Sequence, residues 1–216
     1  MEIFESIQRR FRARRMAEMA RTVGLKPDTR VLDVGGTVDI WRLAPVMPRV
    51  VFLNQSRAQY EIGPAPSIVL GDGTCLPFAD GSFDLVFSNS VIEHVGSRED
   101  QARFAAEIAR VGRQYWVQTP NRRFPVEQHL WTPFIHWLPR PWQAPVLRKF
   151  SIWSAITRLP EDQRTFYIDH YLLSVRLLSA ADLRRLFPNA KVLRERFLGW
   201  TKSLVAWGSN AKPELP

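Results

Sequence analysis

Three short apolar runs in the first 90 residues break off at small or carboxamide residues, and this repeated break constrains the fold more than any other feature. Val31-Leu32-Asp33-Val34 stops at Gly35-Gly36-Thr37. The run through Leu70 stops at Gly71-Asp72-Gly73-Thr74, and Phe83-Asp84-Leu85-Val86-Phe87 stops at Ser88-Asn89. Short runs of branched and aromatic residues bounded by turn formers read as buried strands. When such ends line up at the carboxyl edge of an α/β sheet, they form a crevice suited to a nucleoside.

The rest of the chain fits that frame. Ile3, Phe4, Ile7, Phe11, Met16, Met19, Ala20 and Val23 recur at helical spacing, which predicts an amphipathic helix over residues 3–23 ended at Gly24. Strands are expected at 30–34, 49–53, 67–70, 83–88 and 115–118, with a brief helix over 37–44 and a longer one over 98–111 that puts Phe104, Ile108 and Val111 on one face. Strand–helix alternation of this kind predicts a parallel sheet covered on both faces. Near the end, Ser179 and Asp182 have the spacing of a capping box for a helix through Phe187. Two late strands, 191–197 and 203–207, read as an antiparallel pair joined near Gly199.

The 216 residues suffice for one domain with a substantial core. A single cysteine, Cys75, excludes an internal disulfide and a cysteine-built zinc site, and points to a reducing compartment. No apolar run approaches the ~18–20 residues of a membrane span. The opening Met1-Glu2-Ile3-Phe4-Glu5 lacks an apolar signal region. A cytoplasmic protein, with membrane association as an option, is the expectation. The net charge of +9 is uneven: +4 over residues 1–30, −3 over 31–120 and +8 over 121–216. A basic flank attracts anionic substrates, nucleic acid or lipid, or is simply a solvated face.

Taken in order, these motifs resemble the class I S-adenosylmethionine-dependent methyltransferases, in particular the type 11-like group. The likeness runs through residues 28–120 and returns weakly over 175–208. It implies a doubly wound, mostly parallel seven-stranded sheet with a late antiparallel strand, and S-adenosylmethionine as cofactor. By resemblance, Asp33, Gly35, Gly36 and Thr37 face the methionine end of that cofactor, and Asp72, Gly73 and Thr74 the adenine. Asn54 and Gln55 stand where the ribose hydroxyls are gripped, with an amide replacing the usual carboxylate, and Ser88 and Asn89 lie nearest the transferred methyl group. Thr37-Val38-Asp39 replaces the further glycines of the usual pattern. A nicotinamide dehydrogenase is disfavoured: the third glycine of its fingerprint is missing, and Asp39 would face a diphosphate. The chain then divides into an N-terminal helix (1–25), a cofactor-binding core (28–120), an aromatic and basic cap (121–175) and a C-terminal completion of the sheet (176–208), all within a single domain, 1–216.

Methyl transfer from a sulfonium needs no general acid, but a base assists when the acceptor is a hydroxyl or an amine. His94, after the fourth strand, is one candidate. Glu127 and His129, after the fifth, are the others; they alternate, so an extended segment points both the same way. His170 is a weaker third option, and no metal site is expected, a His129–Glu127–His136 set being set aside. Trp131, Phe134, Ile135, Trp137, Leu138, Trp142, Leu147, Phe150, Ile152 and Trp153, interleaved with Arg140, Arg148, Lys149 and Arg158, read as a helical cap over the acceptor. Peripheral membrane contact through 131–153 is the second reading of that stretch. The expected reaction is O- or N-methylation of a small or lipid-linked acceptor, a glycan included. Two alternatives stand beside it: an RNA-modifying methyltransferase, disfavoured for want of an Asn-Pro-Pro-Tyr-type motif, and a non-catalytic membrane-surface protein with a nucleoside-binding fold.

Overall fold

The computed structural model describes residues 2–56, 67–150, 157–158 and 160–210, with side chains from residue 9 onward. The expected contacts of Ile3, Phe4, Ile7, Ile152 and Trp153 lie outside the described residues. Helix α1 (Glu2–Val23) leads into β1 (Arg30–Val34), a one-turn α2 (Val38–Trp41), β2 (Arg49–Asn54), β3 (Ser67–Leu70) and β4 (Phe83–Asn89). Helix α3 (Arg98–Val111) and β5 (Gly112–Pro120) follow. The strands align as β3-β2-β1-β4-β5-β9-β8, with β8 (Lys191–Phe197) and β9 (Trp200–Ser209) completing seven. All neighbours from β3 to β5 pair in parallel, and β9 runs antiparallel to both β5 and β8. This is the doubly wound, mostly parallel sheet with a late antiparallel strand that the sequence predicts.

Because side chains alternate across a strand, each run supplies both faces. Leu32, Val86, Val117 and Leu204 face α3 and the short α6 (Ala180–Leu186), meeting Phe104, Ile108, Leu183 and Phe187. Val31, Leu85, Phe87, Trp116 and Val205 face α1 and α2, meeting Met16, Met19, Ile40 and Trp41. Both Ser97 and Ser179 cap their helices through complete capping boxes. The β8–β9 turn is Leu198-Gly199, both with positive φ (47° and 81°), the primed geometry that matches strand twist.

Residues 121–175 leave the sheet. A two-residue hairpin, β6 (Val126–Glu127) with β7 (Thr132–Pro133), precedes α4 (Arg140–Lys149) and α5 (Glu161–Ser174). They enclose a small core of their own, centred on Leu130, Ile135, Leu147, Ile168 and Tyr171. Phe134, Trp137, Trp142 and Phe150 remain exposed on its outside.

Candidate active site

The carboxyl ends of β1, β2 and β4 frame a hollow of about 560 Å³, lined among others by Gly35, Asn54, Gln55, Asp72, Gly73 and Thr74. That volume suits a small-molecule ligand. Val34, Leu53, Val91 and Phe104 form its apolar walls. Two glycines are dictated by close packing here. Gly35 has φ +78°, and a side chain on it would run into Val91. A Cβ on Gly73 would lie 2.6 Å from the Phe104 ring. The Asp72 carboxylate accepts a hydrogen bond from the Thr74 amide at 2.8 Å, which fixes the turn, and the Asn54 amide donates to the Gly36 carbonyl at 3.1 Å.

Five of the sequence candidates stand back from this hollow. Asp33 is fully buried; Trp41 Nε1 donates to its Oδ2 at 2.8 Å, and its Oδ1 has no hydrogen-bond partner among the described residues. Burial pushes its pKa up to about 7, against the pull of the Trp41 bond. Gly36 is small because of Asp33: a Cβ there would strike that carboxylate. Thr37 begins α2 without capping it. Ser88 is buried and donates to the Val34 carbonyl at 3.1 Å, and the side-chain Oδ1 of Asn89 accepts from Arg15.

Arg15 is a charged residue near the strand ends that the sequence pattern did not single out. It is buried, reaches Gln118 as well as Asn89, and grips Glu195 with two nitrogens at 2.5 and 2.7 Å. One helix thereby ties the ends of β4, β5 and β8 together. Its signal was present: Phe11, Arg15 and Met19 share one stripe at a spacing of four, so a charge sits where an apolar residue belongs.

The three candidate bases converge. The 3₁₀ turn Ile92–His94 follows β4 and presents His94 to the hollow. His129 lies between the two short strands of the hairpin. Its Nδ1 stands 2.6 Å from Glu127 Oε1, and its Nε2 stands 3.2 Å from His94 Nε2. Glu127 is buried, and its other oxygen accepts from the backbone amides of His129 and Leu130. Burial opposes a charge on His129, but the Glu127 hydrogen bond and charge, with Glu93 behind them, hold its pKa above the ordinary value. Desolvation, and then the neighbouring His129 and His170, pull His94 down to about 4. His170 stacks on Phe166, near enough for its charge to act on His94, and His136 turns to the Arg122 carbonyl.

Beyond the histidines lies a second hollow of about 340 Å³. Arg98, Arg122, Arg140 and Arg176 line it with Tyr171, whose ring is 5.8 Å from that of His129. No carboxylate lines it, and none of the four arginines forms an ion pair among the described residues. Arg140 and Arg176 are held instead by backbone carbonyls, of Val175 at 2.9 Å and Gly96 at 2.6 Å. The two hollows differ in character: Val91, His94, Val95 and Gly96 line the first, and the second begins at Ser97 and Arg98.

Residues 42–114 match the model of the methyltransferase domain family, about a third of the chain. The chain has the fold of the class I methyltransferases. A possible histamine N-methyltransferase from Thermotoga maritima shares the fold at 16% identity, with 97% of each chain covered and a TM-score of 0.53. The N-terminal domain of EvdMO1, solved in the presence of SAH and D-fucose, does so at 17% identity, covering 92% of this chain and 82% of that one, TM-score 0.53. A Rhodobacter sphaeroides protein assigned provisionally to the Zn-dependent alcohol dehydrogenases gives 14%, 86% of each chain and 0.53. No curated protein matches the chain. S-adenosylmethionine is the cofactor that the matched domain family implies, and the larger of the two hollows fits it. The apolar walls of Val34, Leu53 and Phe104 suit the adenine, Asn54 and Asp72 offer polar partners, and the orphaned Asp33 oxygen lies beneath the turn expected at the methionine end.

Proposed function

We propose that this methyltransferase acts on a small acceptor that carries a hydroxyl or amine near an anionic group. The bound cofactor supplies an electrophilic methyl carbon on a sulfonium. The observation that carries the reading is the Glu127–His129–His94 chain, set between a nucleoside hollow and a hollow walled by arginines. Guanidinium groups without carboxylate partners recognise phosphates and carboxylates. Four of them around Tyr171 orient such a group, while the nucleophile of the acceptor turns toward the histidines. A proton taken from the acceptor settles on His129, whose cation Glu127 stabilises and orients. Exposed Phe134, Trp137, Trp142 and Phe150 on the outside of the cap support an acceptor with an apolar or lipid-linked portion, presented at a membrane surface. No helix among the described residues is long and apolar enough to cross a membrane.

Calorimetric titration with S-adenosylmethionine and its demethylated product tests the cofactor side. Asp72→Ala is expected to weaken both by about tenfold or more, ~1.4 kcal/mol. Unchanged affinity would remove the adenine assignment.

A further inference from the structure

Glu93 has a place that the relay does not explain. It sits beside His94 in the 3₁₀ turn and is fully buried. One carboxylate oxygen accepts from the Thr119 hydroxyl at 2.9 Å, and the other, Oε1, has no hydrogen-bond partner among the described residues. Leaving such an atom unpaired in a dry interior is costly. A ligating oxygen of Glu93 and a ring nitrogen each of His94 and His129 lie within 4.8 Å of one another.

We propose that Glu93, His94 and His129 form a binding site for a divalent transition metal ion, zinc being the best match. Two imidazoles and one carboxylate are a donor set that zinc accepts, with a fourth position left open. Zinc–nitrogen bonds of about 2.0–2.1 Å at a tetrahedral angle separate two nitrogens by about 3.3 Å; the facing Nε2 atoms stand 3.2 Å apart. The surrounding groups are those that orient ligands. Glu127 holds His129 Nδ1, which leaves Nε2 to the metal, and Thr119 holds the second oxygen of Glu93. Two buried carboxylates, Glu93 and Glu127, supply the negative charge that a dication neutralises. The ion takes the Nε2 atoms that pass the proton in the relay, so the metal-bound form and the relay are alternative states of this site, and binding releases whatever extra proton the histidine pair holds. An acceptor oxygen in the open position would complete the coordination; that use rests on the proposed function, whereas metal binding itself does not.

The test is calorimetric titration of chelator-treated, full-length protein with zinc chloride alone, with no cofactor or acceptor, alongside cobalt(II) absorption spectra. The expected result is one ion per chain, with proton release and the intense visible bands of tetrahedral cobalt. His129→Ala and His94→Gln should each weaken binding at least 100-fold, and Glu127→Gln 10- to 100-fold. His136→Ala should leave it unchanged. Circular dichroism melting of each variant separates lost ligation from lost folding, and the His94 variant, with its more exposed side chain, serves if His129→Ala fails to fold. No stoichiometric binding, or binding indifferent to both histidines, overturns the site. Because cofactor titration is read separately, a failure of either proposal is distinguishable from a failure of the other.

Discussion

The hollow at the strand ends and the arginine hollow adjoin consecutive stretches of chain, Val91–Gly96 and Ser97–Arg98, yet they are built by opposite means. The first is made at the ends of parallel strands, where glycine turns bring backbone close to the ligand and neighbouring strands fix every position. The second is made from long side chains on short pieces, the loops either side of the hairpin, α4, the end of α5 and the start of α3, beside a small separate core. The difference teaches where variation is cheap. A strand edge tolerates few changes because the sheet depends on it, whereas the cap can change its arginines and aromatics without touching the sheet.

The largest expected effect tests that independence. Trp116→Ala, in the centre of the sheet, should lower global stability by about 4 kcal/mol, read by denaturant unfolding. Leu147→Ala should loosen the cap instead, lowering turnover while cofactor affinity stays within about twofold, a difference of ~0.4 kcal/mol. An equal loss of cofactor affinity would show that the two regions are one unit. Next in size is the boundary between them. His129→Ala should cut kcat about 100-fold with the cofactor affinity unchanged, as read by single-turnover kinetics against titration. Full activity in that variant would remove the relay. The smallest effect sharpens the acceptor side. Arg122→Ala should raise the acceptor KM by about tenfold, ~1.4 kcal/mol, for anionic acceptors only, and an equal rise for neutral acceptors would speak against anion recognition.

The two regions also differ in how far the sequence reveals them. The strands at 30–34, 67–70 and 191–197, helix 98–111 and the Ser179 capping box agree with the structure because alternation, caps and turn formers are local signals. The convergence of His94, Glu127 and His129 was legible in part: the alternation of Glu127 and His129 set one pair, but the meeting of His94 with His129, 35 residues apart, depends on how β4 and β5 lie side by side. Ser88 and Asn89 occupy the strand end expected of them, but their side chains serve Val34 and Arg15, a long-range choice that spacing does not encode. The arginine hollow was invisible for the same reason. Its four members come from four separate segments, and only an overall excess of basic charge after residue 120 hinted at them.

One feature of the sheet bears on how the chain matures. β9 is the last of the seven strands to leave the ribosome, and it inserts between β5 and β8, pairing with Gln118 and Thr119. Until it arrives, β5 is an open edge and Arg15 waits for Glu195, 180 positions downstream. The sheet therefore gains its central β5–β9 pairing only once the last of its strands is made, and until then the β5 edge is open to mispairing.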